Sequence, residues 1–316
     1  MLIELVKHAS GIVVHGPEPS SIASAEVLRI VLPKGSLEKA TMELFEAADL
    51  SVVRSSAVDY KATIDDPRVA EVRILRPQEI PVYVAEGLFD IGITGRDWVE
   101  ETSSEVVSLG ELKYSKATSN PVRVVVAVAG DSDVERIEQL PQGVRVSSEY
   151  PSLTRRFFES KGIEADVRLS YGASEAKIPD IADCVVDITE TGRALRAAGL
   201  RIIDTILTSW TEAIANPTSH ADPDKRHAMD QLMMLLNGAL EARGKVLVKL
   251  NVAEERFEAV LAVLPSAKSP TVARLANGGY AIESVVEKVQ INRIIPALCD
   301  AGATDLLEIP ISKIIH

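Results

Sequence analysis

The chain has 316 residues, of which 46 % are apolar and only 4 % aromatic, and its formal net charge is −12. This length predicts two or three domains, and a core of aliphatic side chains favours packed α/β layers over an all-β sandwich. The negative charge argues against a nucleic-acid-binding protein, because such proteins present basic surfaces, but a local basic cluster or Mg²⁺ is enough to bind a small anion.

Strand and helix patterns alternate from residue 28 to about residue 207, after an N-terminal stretch that we expect to be a mobile arm (1–27) rather than a signal peptide. The strands are predicted over 28–32, 72–75, 90–94, 122–128, 144–147, 183–188 and 200–207. The helices are predicted over 37–48, 77–86, 96–101, 152–161 and 193–198. This order favours two doubly wound lobes, 28–115 with a return segment 201–220, and 116–200, with ligands bound between them at the carboxyl ends of the strands.

The pattern changes after a long connecting helix predicted over 221–243. The remainder, 244–316, predicts a strand at 245–251, a helix at 254–264, strands at 271–275 and 280–286, a helix at 292–301 and a strand at 305–311. This β-α-β-β-α-β order is ferredoxin-like. The predicted fold is therefore α/β: a two-lobed part resembling periplasmic binding proteins, followed by a ferredoxin-like (ACT-like) domain.

Cysteine, histidine and hydropathy patterns exclude several other classes. Cys184 and Cys299 lie among apolar residues and are expected to be core thiols of a protein in a reducing compartment. The five histidines show no metal-ligand spacing, which argues against a structural zinc site. No apolar run of about 18 residues predicts a membrane helix. We therefore expect a cytoplasmic protein that contacts neither membrane nor nucleic acid.

The segment around residues 183–195 carries the strongest chemical signal. An apolar strand brings Asp187 and Glu190 to its carboxyl end, and Thr191 and Gly192 then open a helix whose unpaired N–H groups attract anions. A sugar phosphate fits this arrangement, with the acids binding ribose hydroxyls or Mg²⁺. An ordinary strand-to-helix turn with a threonine cap explains the same residues, and the segment alone leaves both interpretations open.

Two stretches of the first lobe suggest further anion contacts. Residues 90–97, Asp-Ile-Gly-Ile-Thr-Gly-Arg-Asp, place glycines, a hydroxyl and a helix start after a strand, although solute-binding proteins contain similar turns. Lys34 ends the first strand beside a helix start, where it is either a cation for a phosphate or a surface lysine. Arg54 and Arg76 also follow strand-like stretches, and an arginine in such a position alone is more often a solvated side chain.

Together these stretches resemble the long form of ATP phosphoribosyltransferase from Leu28 to the C-terminus. The matching motifs are Leu-Pro-Lys-Gly (32–35), Arg-Pro-Gln-Glu-Ile-Pro-Val-Tyr-Val-Ala-Glu-Gly (76–87), Asp-Ile-Gly-Ile-Thr-Gly-Arg-Asp (90–97), Glu-Leu-Lys-Tyr (111–114), Glu-Tyr-Pro-Ser-Leu-Thr (149–154), Asp-Ile-Thr-Glu-Thr-Gly-Arg-Ala-Leu (187–195), Ala-Asn-Pro (215–217) and Ser-Pro-Thr-Val (269–272). Each motif is modest, but their number, order and spacing make the joint resemblance specific.

The resemblance implies an enzyme that joins ATP to phosphoribosyl diphosphate with Mg²⁺, the first step of histidine biosynthesis. It implies that the phosphoribosyl diphosphate loop is 187–195 and that the first lobe supplies much of the ATP side. The implied catalytic residues are Lys34, Arg54, Arg96, Asp187 and Glu190. The implied substrate-binding residues are Gly35, Arg76, Thr94, Gly95, Asp97, Thr189, Thr191, Gly192, Arg193, Ala194 and Leu195. Mg²⁺ is expected mainly on substrate phosphates, with Asp187 or Glu190 as its protein ligand.

The resemblance also implies feedback inhibition by L-histidine and dimers that assemble into hexamers. The family's histidine contacts fall on Asn251, Thr271, Val286 and Asp305 of the terminal domain. Without the resemblance, Asn251 and Asp305 read equally well as turn-forming residues.

Two departures from the family pattern motivate an alternative function. Ala194 replaces the usual hydroxyl residue of the phosphate loop, and Ser36 stands where arginine is common. A catalytically weakened regulatory relative is therefore one alternative, and turnover by the protein alone would exclude it. A two-lobed solute-binding protein is the other, and such a protein should ignore phosphoribosyl diphosphate.

Overall fold

The computed structural model describes residues 28–56, 59–114, 120–265 and 269–316. The predicted arm, 1–27, lies outside the described residues. The strands are β1 (Leu28–Pro33), β2 (Val52–Val53), β3 (Lys61–Ile64), β4 (Val69–Leu75), β5 (Ile91–Gly95), β6 (Val107–Leu112), β7 (Val122–Ala129), β8 (Val144–Ser148), β9 (Ala165–Leu169), β10 (Cys184–Thr189), β11 (Leu200–Ser209), β12 (Thr211–Ala215), β13 (Lys245–Val252), β14 (Thr271–Arg274), β15 (Tyr280–Glu287) and β16 (Ala303–Pro310). The α-helices are α1 (Glu38–Ala47), α2 (Ile80–Ala85), α3 (Arg96–Thr102), α4 (Pro151–Ser160), α5 (Arg193–Ala197), α6 (Pro217–Ala221), α7 (Pro223–Ala242), α8 (Phe257–Val263) and α9 (Ile291–Ala301).

The first lobe is a mixed seven-stranded sheet in the order β2-β3-β4-β1-β5-β12-β6. Its centre is parallel, because β1 pairs in parallel with both β4 and β5, whereas β12 runs antiparallel to β5 and β6. The apolar sides of α1 and α7 cover one face, where Leu44 and Met229 are fully buried. Helices α2 and α3 cover the other face, so the sheet is wound on both sides as predicted.

The second lobe is a five-stranded sheet in the order β11-β7-β10-β8-β9. Strands β8, β9 and β10 are parallel neighbours, and β7 pairs antiparallel with β10 and β11. The interior strand β7 is rich in β-branched residues and is buried on both faces from Val124 to Val128, which explains why its signal in the sequence is strong.

The chain returns to the first lobe later than the sequence suggested. We expected 201–220 to belong to the first lobe, but β11 pairs with β7 along its length, from Leu200 opposite Ala129 to Ser209 opposite Val122. The chain re-enters the sheet of the first lobe only at β12. A strand pattern identifies a strand but not its partner, and β11 and β12 are separated by a single residue, Trp210.

The C-terminal domain has a four-stranded antiparallel sheet in the order β14-β15-β13-β16, the ferredoxin-like arrangement. Alternate residues of β13 are buried under α8 and α9. The predicted α/β fold of two lobes followed by a ferredoxin-like domain is therefore confirmed. Cys184 is buried as expected, but Cys299 is exposed on α9, so the expectation of a second core thiol was wrong. No helix in the described ranges is long and apolar enough to cross a membrane.

Candidate functional site

A cavity of about 600 Å³ lies between the two lobes, where the chain passes from one sheet to the other. Its volume is in the range of small-molecule and cofactor sites. The lining residues are Ser36, Leu37, Pro77, Gln78, Gly95, Asp97, Trp98, Tyr114, Asn120, Val122, Glu149, Tyr150, Ile188, Thr189, Glu190, Ser209, Trp210 and Thr211.

The wall from the first lobe is built at the carboxyl ends of the parallel strands β1, β4 and β5. Ser36 follows β1, Gln78 follows β4, and Gly95 and Asp97 mark the passage from β5 into α3. The turn after β1 uses Gly35 in the left-handed region, at φ +85°, where a side chain is disfavoured. Three strand ends thus meet at one edge of the sheet.

The facing wall of the second lobe uses the same construction. Glu149 and Tyr150 follow β8, and Ile188, Thr189 and Glu190 lie at the end of β10. The sequence segments around 90–97 and 183–195, which were predicted to carry the chemistry, therefore face each other across the cavity.

The loop after β10 is held by its own side chains. The Thr189 hydroxyl accepts the Gly192 N–H at 2.8 Å, and the Thr191 hydroxyl accepts the Arg193 N–H at 3.3 Å. Gly192 adopts φ +70°, and a Cβ there would lie 2.8 Å from the Arg196 guanidinium. The loop conformation therefore depends on glycine at this position.

Two carboxylates of the second lobe influence each other. Burial, followed by the negative charge of Asp187, raises the pKa of Glu149, while the Gly172 N–H and the Lys177 ammonium act in the opposite direction. Asp187 also accepts the Ile188 N–H at 2.7 Å. Glu149 was not predicted as a site residue, although it directly follows the buried strand β8.

This donor set suits Mg²⁺ better than a metal held by protein ligands alone. The described residues contain no group of three or more His, Cys, Asp and Glu side chains that would bind a metal. Mg²⁺ commonly takes one or two carboxylates and completes its shell with phosphate oxygens and water. Glu149 and Asp187 fit that pattern.

Asp97 lies at the base of the cavity, and its carboxylate is almost fully buried. It accepts the Tyr150 hydroxyl at 2.8 Å and the Ser209 hydroxyl at 2.6 Å. Burial raises the pKa of Asp97, and these two hydrogen bonds oppose the increase. Burial and the negative charge of Asp97 together raise the pKa of Tyr150, so the phenol remains a hydrogen-bond donor at neutral pH.

The predicted basic residues lie outside this lining and have partners of their own. The Lys34 ammonium lies 4.1 Å from the centre of the Tyr60 ring. The Arg54 guanidinium is 2.9 Å from the Glu38 carboxylate. In the described part of the chain no lysine or arginine lines the cavity.

Arg96 is held by two acids. Its guanidinium donates to Glu100 at 2.5 Å and lies 3.6 Å from the Glu212 carboxylate. Glu212 itself is 5 % exposed, and its Oε2 is buried without a hydrogen bond. Arg96 therefore compensates the charge of Glu212 within the first lobe. The other predicted arginine of this lobe, Arg76, is exposed.

The remaining predicted site residues fall into three groups. Gly95, Asp97, Thr189 and Glu190 line the cavity. Thr94 is fully buried and donates to the Pro77 carbonyl at 2.8 Å, and Leu195 belongs to the hydrophobic core. The turn and helix residues Thr191, Gly192, Arg193 and Ala194 follow the lining segment but are not part of it.

The sequence reasoning missed the aromatic part of the site. Both tryptophans of the chain, Trp98 and Trp210, line the cavity. Trp98 packs on Tyr150 with ring centres 4.5 Å apart. In a chain with 4 % aromatic residues, two tryptophans next to polar strand ends were a usable signal.

The four predicted effector residues do not form one cluster within the chain. Asn251 donates to the Asp305 carboxylate at 3.0 Å, so these two are neighbours on β13 and β16. Thr271 lies on the edge strand β14 opposite Glu283. Val286 is 2 % exposed in the domain core, five positions along β15 from the residue that pairs with Asn251.

Comparison with known proteins gives consistent matches over most of the chain. A family model described as "HisG: ATP phosphoribosyltransferase" matches residues 76–238, and one described as "HisG, C-terminal domain" matches residues 242–313. The ATP phosphoribosyltransferase of Pelotomaculum thermopropionicum is 44 % identical over 290 residues, which is 91 % of this chain and 99 % of that protein. The enzyme of Desulforudis audaxviator is 45 % identical over 289 residues, 91 % of this chain and 99 % of that protein.

One solved structure is similar enough to support the fold. It is the ATP phosphoribosyl transferase (HisG:HisZ) complex from Thermotoga maritima, whose matched chain is 27 % identical with a TM-score of 0.59. The match covers 68 % of this chain and 99 % of that one.

Proposed function

The chain belongs to the ATP phosphoribosyltransferase family, whose reaction is the first step of histidine biosynthesis, and we propose that its interlobe cavity is where ATP and phosphoribosyl diphosphate react. One observation carries this proposal: residues from strand ends of both lobes, Gly95, Asp97 and Trp98 in the first and 188–190 in the second, line the same cavity. A reaction that joins two substrates requires them to meet, and a cleft between two lobes allows each lobe to bind one of them.

The chemistry requires positioning rather than a protein nucleophile. An adenine ring nitrogen attacks the anomeric carbon of the ribose, and diphosphate leaves with the bonding electrons. The protein therefore acts by holding the two atoms in line and by stabilising developing charge. In this proposal the loop 189–195 holds the 5′-phosphate, and Asp187 and Glu190 orient the ribose hydroxyls.

Lys34, Arg54 and Arg96 are proposed to stabilise the phosphates and the leaving diphosphate. Each already lies against an aromatic ring or a carboxylate. A phosphate would compete with these partners for the cations, as expected for side chains that hold exchangeable hydrogen bonds.

Mg²⁺ is part of the proposal, with Glu149 and Asp187 as its protein ligands. When bound, Mg²⁺ neutralises charge on the diphosphate of the substrate and helps it to leave. The raised pKa of Glu149 supports this assignment, because two neighbouring carboxylates are most easily kept ionised by a cation.

L-Histidine inhibition, a dimeric or hexameric assembly and a cytoplasmic location are proposed on the family resemblance. The C-terminal domain, which a dedicated family model matches, supports the first of these. Asn251 and Asp305 are the pair from which to test effector binding, since they are in contact. Family membership argues against the solute-binding alternative.

The test is an ultraviolet absorbance assay of purified protein with ATP, phosphoribosyl diphosphate and Mg²⁺, with a diphosphatase added to pull the reaction forward. Growth of an N-alkylated adenine signal, suppressed by L-histidine, is the expected result. Activity without suppression would refute the effector assignment only. No signal from folded protein would favour the weakened regulatory relative, and Ser36, which lines the cavity, would be the first residue to examine.

A further inference from the structure

The Asp97 carboxylate is fully engaged within the protein. Its Oδ1 accepts the Ser209 hydroxyl at 2.6 Å and its Oδ2 accepts the Tyr150 hydroxyl at 2.8 Å. The Asp97 N–H donates in turn to Ser209 Oγ at 3.0 Å, which closes a reciprocal pair of hydrogen bonds. Asp97 is 2 % exposed. With both oxygens already accepting buried hydrogen bonds, the carboxylate presents little surface to a substrate.

The three partners come from different parts of the fold. Asp97 opens α3 in the first lobe, and Tyr150 follows β8 in the second lobe. Ser209 is the last residue of β11, where the chain leaves the second lobe. The next residue, Trp210, accepts the Arg96 N–H through its carbonyl at 3.0 Å. The Asp97 cluster therefore ties both lobes to the strand that connects them.

Further hydrogen bonds between α3 and α4 strengthen the interlobe joint formed by Asp97, Tyr150 and Ser209. The Glu101 carboxylate of α3 accepts the N–H groups of Ser152 and Leu153 at 3.0 and 2.8 Å, so a side chain from the first lobe caps α4 of the second. Arg156 of α4 donates to the Glu100 carbonyl, again across the lobes. The two helices are joined over more than a turn.

The joint connects directly to the cavity wall. Tyr150 is adjacent to Glu149, the carboxylate that faces the cavity beside Asp187. A displacement of Tyr150 from Asp97 would move Glu149 relative to the first lobe. Misplacement by about 1 Å is enough to slow a reaction between bound substrates by about 100-fold.

We propose that Asp97, with Tyr150 and Ser209, is an interlobe positioning residue that fixes the distance between the two substrate-binding walls and is not itself a substrate ligand. This inference rests on the proposed function and replaces the sequence prediction that Asp97 binds substrate. The carboxylate acts through Tyr150 on Glu149.

The first test is kinetic and uses Tyr150→Phe, Asp97→Asn and the double variant. Tyr150→Phe keeps the ring on Trp98 and removes only the hydroxyl. We expect kcat to fall about 10- to 100-fold, while the calorimetric Kd values for phosphoribosyl diphosphate and ATP change less than about twofold. The double variant should be no slower than the slower single variant, because both substitutions weaken the same contact between Asp97 and Tyr150.

A matched control is Tyr83→Phe, which removes a tyrosine hydroxyl that donates to a carboxylate, Glu79, within one lobe. It should keep the wild-type kcat. A substrate-ligand role for Asp97 predicts a different pattern: Asp97→Asn weakens the Kd of one substrate, Tyr150→Phe is nearly silent, and the losses multiply in the double variant. That pattern would overturn the proposal.

The second test does not depend on turnover. Spin labels at positions 43 on α1 and 159 on α4, both exposed, report the interlobe distance in a Cys299→Ser background diluted with unlabelled chain. Tyr150→Phe and Asp97→Asn should broaden the distance distribution, and Tyr83→Phe should not. An unchanged distance distribution in folded variants would overturn the proposal that Asp97 and Tyr150 fix the interlobe distance. If the wild-type protein showed no turnover, the proposed function would be refuted. The spin-label distances would still test whether Asp97 holds the two lobes in position.

Discussion

Replacing Asp90 by asparagine should change how stability depends on pH, and the structure gives the size of the effect. Asp90 is 0 % exposed and accepts hydrogen bonds from Arg29, through its Nε at 3.2 Å and its backbone N–H at 2.8 Å, and from the Ser219 hydroxyl at 2.6 Å and the Lys225 ammonium at 3.2 Å. Burial opposes ionisation, but these hydrogen bonds outweigh it and lower the pKa of Asp90 to about 2 from an ordinary value of 3.8.

That difference in pKa corresponds to about 2.5 kcal/mol in favour of the folded, ionised state. Because the folded pKa lies below the unfolded one, the contribution is complete above pH 4 and is lost as the pH falls toward 2. About 1 kcal/mol should already be lost at pH 3. Asp90→Asn lacks this ionisation, so its deficit relative to the wild type should be largest near neutral pH and should shrink in acid.

The assay is urea unfolding followed by circular dichroism at pH 6, 4 and 3, with the exposed Asp131→Asn as control. The free energies of unfolding of the wild type and Asp90→Asn should approach each other by about 1 kcal/mol between pH 6 and pH 3. The control should run parallel to the wild type. A constant or growing difference for Asp90→Asn would show that the Asp90 cluster does not favour the ionised form.

Further predictions concern the cavity wall. Glu149→Gln should raise the KM for phosphoribosyl diphosphate at limiting Mg²⁺ by about tenfold or more, which steady-state kinetics would measure. The unfolding temperature at pH 7, measured by differential scanning fluorimetry, should stay unchanged or rise, because the raised pKa of Glu149 means that its ionised form costs stability at that pH. Gly192→Ala, which forces a side chain to φ +70° against Arg196 and Ile202, should cost about 1 to 2 kcal/mol and weaken phosphoribosyl diphosphate binding in calorimetry, whereas an equal loss of ATP affinity would contradict a loop-specific role. Chelation by EDTA should abolish turnover without lowering the unfolding temperature, and a large thermal shift would point to a structural metal instead.

The sequence predicted the strands with a long apolar run and missed short ones, although it also missed the fully buried β12 and predicted the exposed β14. Strand β7 was identified because its β-branched residues are buried on both faces. Strand β3 alternates exposed and buried residues over only four positions, and β2 has two residues, so neither gives a usable pattern. The partner of β11 was also beyond the sequence, because pairing is decided by long-range packing.

The sequence could predict which strand ends form the site, but it could not predict the role of each residue there. The rule that ligands bind beyond the carboxyl ends of parallel strands correctly located Gly95 and Glu190 on the cavity wall. The same rule gave no reason to separate Asp97 from Asp187, because both lie near the carboxyl end of a strand. Only the contacts show that one is buried against two hydroxyl groups and that the other is coupled to a second carboxylate.

The acidic residues near the cavity therefore differ in the groups that they contact. This difference bears on how an acidic protein can bind polyanions. Asp97 accepts hydrogen bonds from hydroxyl groups, whereas Glu38 and Glu212 are paired with the arginines expected to reach phosphates. A phosphate that takes such an arginine leaves a carboxylate behind, so the exchange gains little Coulombic energy by itself. No described lysine or arginine lines the wall that carries Glu149, and burial followed by the charge of Asp187 raises the pKa of Glu149, so these two carboxylates gain most from a metal that arrives with the diphosphate. Substrate affinity should then reside in the Mg²⁺ complex of phosphoribosyl diphosphate rather than in the free polyanion.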